Sequence, residues 1–393
     1  MLLLLIALQA PTCDPDNGGL KLVEGFCAAL VAKDLVGVRH LVVAPDGSIF
    51  AGRHGNQGGL YYLRDTTGDG RIDLVSRVFD TAGTGVLWTP DAVYFSPEDR
   101  VLRFPWTAGA RQASGKPEVI VHSLPTGGHT AKSMILGKDG ALFVVVGSRT
   151  NSCQEKDRTE KSPGIKPCNE LETRAGIWRF DARRLGQTQS SGARYGTGLR
   201  NAMAMSLAPD GTLWAAVHGR DQLTQNWGFS EEDGAENPAE EFGPITDGID
   251  YGWPYCYYDP RKSRKVQSPE YGGNGATEGE CGAKAKPAVV FPAHWAPNAS
   301  VFYTGTMFPA RYRGGAFIAF HGSWNRAPRP QEGFRVAFAP FENGKATGKW
   351  EDFALPAGAP DSVRPSGLAV GPDGSLYIGA DREGKIWRVV RKP

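Results

Sequence analysis

Short apolar runs separated by turn residues recur along the chain, and one phrase returns: an apolar run, a turn centred on Asp-Gly, and a second apolar run ending in small residues. It spans Leu41 to Gly52, Met134 to Gly147, Ser206 to Val217 and Leu368 to Ala380. Weaker copies lie at 92–104, around Ser96 to Asp99, and at 312–320, around Arg313 to Gly315. Asp-Gly between β-rich runs predicts a hairpin, because Gly supplies the positive φ of a tight turn. Matching strands follow downstream at Gly59 to Leu63, Gly176 to Asp181 and Gly384 to Val390, so each unit holds about four strands. The pattern predicts an all-β fold: a six-bladed β-propeller with long inserted loops on one face, at 148–195 and 221–300.

Closing such a ring requires its first and last blades to be joined. Phe26 to Ala32 can supply an outer strand to the blade ending at Val390; a helix over 20–32 fits the apolar content equally well. The propeller is expected to be a single domain over 20–393. Met1 to Ala10 reads as the apolar part of a signal peptide within 1–12, the alternative being a buried first strand. It is too short to span a bilayer, which needs about 20 residues.

Composition narrows the classes. Gly 51 and Pro 28 make about a fifth of 393 residues, which excludes a helical bundle. At 40% hydrophobic and 10% aromatic residues the chain is too apolar for disorder. A net charge of +2 without a basic block disfavours a nucleic-acid partner. The six cysteines fall into neighbouring pairs, 13/27, 153/168 and 256/281, and predict three local disulfides and a periplasmic or secreted protein. No Cys-x-x-Cys-His is present to attach a haem.

Signatures for nucleotide, serine-hydrolase and zincin chemistry are missing from the sequence. Polar groups cluster instead at the ends of the inner strands: His129, Arg149 and Asn151, Arg200 and Asn201, His218 to Asp221, His321, Trp324 to Arg326, and Arg364. Propeller loops converge around the axis, so these residues predict a pocket rich in Arg and His, suited to a small polyanion. Each Arg taken alone could equally form a blade-to-blade salt bridge, and His129 could be a structural histidine.

Gly127 to Met134, Gly198 to Asn201, His218 to Asp221 and Asp250 to Tyr255 resemble the motifs of the pyrroloquinoline quinone (PQQ)-dependent glucose/sorbosone dehydrogenases, a family of six-bladed propellers. The likeness covers roughly residues 20–391, and Gly322 to Arg326 is similar to the sorbosone and pyranose dehydrogenase branch. The resemblance implies His129 as the base that takes a sugar hydroxyl proton, and Arg200 as the group polarising the quinone. It implies Asn201 and Arg364, with Arg200, as cofactor-binding residues and the carbonyls of Gly219 and Arg220 as Ca²⁺ ligands; Arg149, His321 and Arg326 are expected to join them from their place in the Arg- and His-rich cluster. The lysine of the glucose-oxidising branch has no counterpart; His321 or Arg326 occupies that stretch. Pro365 and Ser366 follow Arg364, so a second arginine two residues on is missing.

A second, structural Ca²⁺ is expected at Asp65, Asp69 and Asp73, where Gly70 stands at the sixth position of an acidic loop. An external electron acceptor (a cytochrome, quinone or dye) is implied. The alternatives are a metal-dependent sugar lactonase and a non-catalytic carbohydrate- or protein-binding propeller.

Overall fold

The structure, a computed structural model, describes residues 12–392; the signal-peptide reading falls on residues outside that range. Six blades, each with four antiparallel strands, surround an axis; Ile249–Asp250 adds a short parallel fifth strand to blade 3 and Leu20–Leu22 an antiparallel one to blade 5. Blade 1 is built from Val38–Val43, Ile49–Arg53, Gly59–Arg64 and Leu74–Phe79, and blade 2 from Gly83–Thr89, Ala92–Pro97, Val101–Pro105 and Glu118–Val121. Blade 3 holds Met134–Leu136, Ala141–Val146, Gly176–Asp181 and Ala193–Thr197; blade 4 holds Ala204–Leu207, Leu213–Val217, Glu240–Ile245 and Val289–Phe291. Blade 5 comprises Pro297–Phe302, Ala316–Phe320, Arg335–Ala339 and Glu351–Pro356. Blade 6 comprises Pro365–Val370, Leu376–Ala380 and Lys385–Arg391, with Phe26–Ala32 as its outer strand.

The closing segment is therefore a strand and not a helix: Phe26 pairs with Arg391 and Leu30 with Trp387. Both of its faces are needed. Ala28 packs toward blade 5, while Ala29 and Val31 pack toward blade 1. That use of alternate residues is general, because successive side chains on a strand point to opposite sides. In blade 1, Ile49 and Ala51 join the core shared with blade 6, whereas Phe50 joins the core shared with blade 2. Strands buried on both faces read as continuous apolar runs, which is why the repeat was visible.

The turns follow the expected chemistry. Gly47, Gly140, Gly211 and Gly374 all have φ between 82° and 94°. The preceding aspartates, Asp46, Asp139, Asp210 and Asp373, accept hydrogen bonds from the amide two residues on. In blade 2 the expected register is corrected: 92–104 forms the second and third strands, and the inner hairpin turns at 90–91. Thr-Pro-Asp-Ala there replaces the Asp-Gly signal.

The long insertions are shorter than expected, since blade strands occupy 176–181, 193–197, 240–245 and 289–291. What remains, 147–175, 218–239 and 246–288, packs into one body. Trp253 Nε1 donates to Asn151 O at 2.9 Å, and Arg220 pairs with Glu270 at 2.5 Å with both side chains buried. Disulfides join Cys13 to Cys27, Cys153 to Cys168 and Cys256 to Cys281, as the spacing predicted. Among the described residues no helix is long and apolar enough to cross a membrane.

Candidate active site

The ends of the inner strands meet in a chain of contacts around the axis. His129 follows Gly127 and Gly128, both at positive φ; a Cβ on Gly128 would fall 2.4 Å from Arg149 Cα, so the His129 loop lies directly on the 148–151 segment. His129 N and Nδ1 both approach Ser148 O, at 3.0 and 2.9 Å, and Nδ1 also lies 3.0 Å from Ser148 Oγ. A carbonyl can only accept, so Nδ1 carries the proton and Nε2 presents its lone pair. Burial, and after it the charge of Arg200, pushes the His129 pKa down to about 3, so the imidazole is neutral.

Arg200 is buried beneath this group. Its Nε donates to Asn151 O at 3.1 Å, Nη1 to Gly219 O at 2.8 Å, and Nη2 to Asn151 Oδ1 and Asp221 Oδ2, each at 3.1 Å. Four of the five N–H donors are thereby engaged, leaving one on Nη1. Burial raises the Asp221 pKa, but Arg200, His294 and Arg158 outweigh it and hold the carboxyl well below its usual range. Asn201, the next residue, is buried with no hydrogen-bond partner on Oδ1.

Of these groups, His129 and Asn201 border a 300 Å³ chamber that Lys132, Arg39 and His54 also line. Through Arg39, His54 and Gly55 it adjoins an 890 Å³ pocket that also holds His321, Arg364 and Asp381. Asp381 gathers three partners: His321 Nε2 at 2.8 Å, Arg39 Nε at 3.1 Å and His54 Nε2 at 3.5 Å. Burial pushes its carboxyl up, yet the two imidazoles and Arg39 keep it far below the normal carboxylate range. Arg364 stacks over Phe334 and reaches His321 O at 3.4 Å, and among the described residues it forms no ion pair.

The structure thus brings together His129, Asn201, His321 and Arg364 around the two cavities, while Arg200 lines neither and is held by Asn151, Gly219 and Asp221. It does not bring in Arg326, whose guanidinium bonds the carbonyls of Ala235, Ala293 and Pro330 and pairs with Glu236, tying the 218–239 insertion to blade 5. Arg149 is exposed and meets the site through its backbone. Gly219 O already accepts from Arg200, and the Arg220 side chain is held by Glu270. In the acidic loop, Asp65 accepts from the amides of Thr67, Gly68 and Gly70, Asp69 from that of Arg71, and Asp73 from that of Thr66. Among the described residues no three His, Cys, Asp or Glu side chains gather as metal ligands, so these aspartates do not converge.

Arg39, His54 and Asp381 were not singled out from the sequence. The signal existed, because His54, Ser148, His218, His321 and Asp381 all lie at or just past the end of the second strand of their blades. Lys132 was also missed; it is fully buried, its Nζ donates to Thr130 O at 2.7 Å, and burial pushes its pKa down to about 8.

A six-bladed propeller with a basic axial pocket and one oriented neutral imidazole defines the class. The chain belongs to the TrAA12-like family, whose model matches residues 20–392. A PQQ-dependent pyranose dehydrogenase from Coprinopsis cinerea is 27% identical over 260 residues, 56% of this chain and 35% of that protein. The chain thus matches about a third of that relative's length. An uncharacterized protein from Borreliella burgdorferi is 28% identical over 199 residues, 49% of this chain and 47% of its own.

Among solved structures, a family AA12 enzyme from Trichoderma reesei superposes with TM-score 0.80 at 20% identity, covering 95% of this chain and 98% of the other. The holo PQQ domain of the Coprinopsis cinerea pyranose dehydrogenase gives TM-score 0.79 at 20% identity, covering 97% and 98%. Both show the shared fold.

Proposed function

We propose that the protein is a quinoprotein that oxidises a pyranose, sorbosone-like sugar or related aldose, with PQQ as its electron acceptor and Ca²⁺ bound beside it. The observation that carries this reading is His129, with Nδ1 fixed on Ser148 and Nε2 open, in the wall of a chamber that adjoins a basic pocket. The donor set suits a planar tricarboxylate. Arg364 is a cation without a carboxylate partner, and the orphaned Asn201 Oδ1 is an acceptor that a ligand N–H or O–H would satisfy.

When bound, PQQ with a Lewis-acidic cation would supply a two-electron acceptor for hydride. The chain's own contribution is to place and deprotonate the sugar. His129 Nε2 takes the hydroxyl proton, and Ser148 O keeps the ring in the tautomer that can do so. Arg364 would pair with a carboxylate of the ligand, while Arg200, with one Nη1 hydrogen uncommitted, would act from behind the 148–151 strap. Around Gly219 and Arg220 the nearby carboxylate, Asp221, is already committed to Arg158, Arg200 and Asn325. The carbonyls there would therefore hold Ca²⁺ together with the ligand's oxygens and not by themselves.

The lactonase alternative needs open carboxylates at the axis, and both Asp221 and Asp381 are paired with cations or imidazoles. Three disulfides fit a periplasmic or secreted enzyme that passes electrons to an external acceptor. The test is titration with PQQ, followed by absorbance, with and without millimolar Ca²⁺, then sugar-dependent dye reduction. No quinone binding with Ca²⁺ present would defeat the proposal.

A further inference from the structure

We propose that Glu170 acts as the carboxylate partner of His129 at one remove, through the single peptide group that joins Ser148 to Arg149; this rests on the sugar-oxidising reading of the pocket. No carboxylate forms an ion pair with His129 among the described residues, and its Nδ1–H is met by Ser148 O at 2.9 Å. The amide at the other end of that same peptide unit, Arg149 N–H, donates to Glu170 Oε2 at 2.6 Å. The order is therefore carboxylate, N–H, C=O, imidazole N–H. A peptide unit is planar and conjugated, so an anion on its N–H end strengthens its oxygen as an acceptor and fixes where that oxygen points.

The surroundings hold this relay in place. Glu170 stands on the short turn Asn169–Glu172, which begins beside Cys168, and Cys168 is bonded to Cys153. Glu170 Oε1 accepts from Thr150 Oγ1, which in turn accepts from Cys153 N at 2.9 Å. The strap between, 148–151, also carries the groups that seat Arg200: Ser148 N donates to Arg200 O at 2.7 Å, and Asn151 O and Oδ1 accept from its guanidinium. One loop thus aligns the base and the arginine, and Glu170 holds that loop at the peptide the base depends on. Glu170 touches neither chamber nor pocket, so it is a positioning residue.

The test separates charge from shape. Glu170→Gln can keep the Arg149 bond through Oε1 while losing the charge; Glu170→Ala loses both. In the reconstituted holoenzyme Glu170→Gln should lower kcat about tenfold, the range in which outer-layer partners of a functional histidine act, with the KM for the sugar and the Kd for PQQ within about twofold. Glu170→Ala should lower kcat further. Glu170→Gln added to His129→Ala should cost nothing more, because the effect passes through that ring.

A second readout needs no cofactor. In ¹⁵N-histidine spectra of the cofactor-free protein, His129 should be the Nδ1–H tautomer in the wild type, shift in Glu170→Gln, and average between tautomers in Glu170→Ala. Wild-type His129 signals and wild-type kcat in Glu170→Gln would overturn the relay, as would a change in KM or Kd with kcat intact. If the wild type oxidises no sugar, the functional reading fails, while the spectra still decide the relay.

Discussion

His129 on the blade 3 side and His321 on the blade 5 side face the same basic opening, yet their anchored nitrogens meet different partners. His129 rests on a neutral carbonyl with Arg200 nearby, whereas His321 rests on Asp381, an anion it shares with Arg39 and His54. A cation close to an imidazole keeps it neutral. The blade 3 side thus keeps an unprotonated imidazole, the form that the proposed proton transfer needs. The other side, where Arg364 adds a cation lacking a carboxylate, is arranged to hold an anion.

Removing His129 gives the largest expected effect. Positioned general-base catalysis contributes about 10²- to 10⁴-fold, so His129→Ala should lower kcat by that factor while leaving the Kd for PQQ near wild type. His321→Ala should do the reverse, weakening PQQ binding more than kcat. If both variants lose only PQQ affinity, the two sides do not differ in role.

The neutral histidines also predict how stability varies with pH. Burial pushes His40 and His218 down to about 4 and His129 to about 3, against about 6.5 in an unfolded chain. Around pH 5 to 5.5 the unfolded state therefore binds nearly three protons that the native state refuses, and fewer on either side of that range. Glu240 opposes them: burial raises it to about 7, so the native state holds a proton there that the unfolded chain releases; Glu241 is raised in the same sense. The balance is one to two extra protons on the unfolded chain, or about 1.4 to 3 kcal/mol of stability lost per pH unit as pH falls. Thermal melting of the cofactor-free protein at pH 7, 6 and 5 checks the sign; a midpoint that is level or rises toward pH 5 would contradict it.

On the anion-holding side, Arg364→Ala should weaken PQQ by roughly 10- to 100-fold, since a hydrogen bond to a charged group contributes about 1.5–3 kcal/mol, with kcat at saturating PQQ little changed. Titration by absorbance or calorimetry measures this. A variant with wild-type affinity would move the carboxylate contact to Arg39.

How far the sequence foretold all this differs between the two sides. Architecture was legible because the repeat is physical: an Asp that binds the amide two residues on, a Gly at positive φ, and flanking strands buried on both faces. It failed at blade 2, where a turn without Gly hid the register. On the proton-receiving side, His129, Arg200 and Asn201 stood out at the ends of the inner strands, and the roles expected of them came from the family resemblance. Ser148 and Glu170 were not, because they act through a backbone carbonyl and a backbone amide that any residue possesses. On the other side Asp381 and Arg39 were missed because their meaning lies in pairing across the closure between blades 6 and 1, some 340 residues apart (381 − 39 = 342).

Arg326 sharpens the contrast by having the smallest expected effect on the ligand. The sequence makes it look like Arg364: an arginine in an inner-strand loop, within the Gly322 to Arg326 motif. Its side chain is nevertheless 4% exposed, with donors distributed over three carbonyls and Glu236. A guanidinium so engaged has little left to offer a carboxylate, and turning it toward the pocket would leave buried acceptors unpaired. Arg326→Ala should therefore leave the Kd for PQQ within about twofold of wild type. It should also lower stability by about 2 to 4 kcal/mol, discounted for the partial exposure of Glu236, because it frees the 218–239 insertion from blade 5. Denaturant unfolding measured beside PQQ titration reads both quantities on one preparation. A tenfold loss of affinity with unchanged stability would return Arg326 to the anion-holding side.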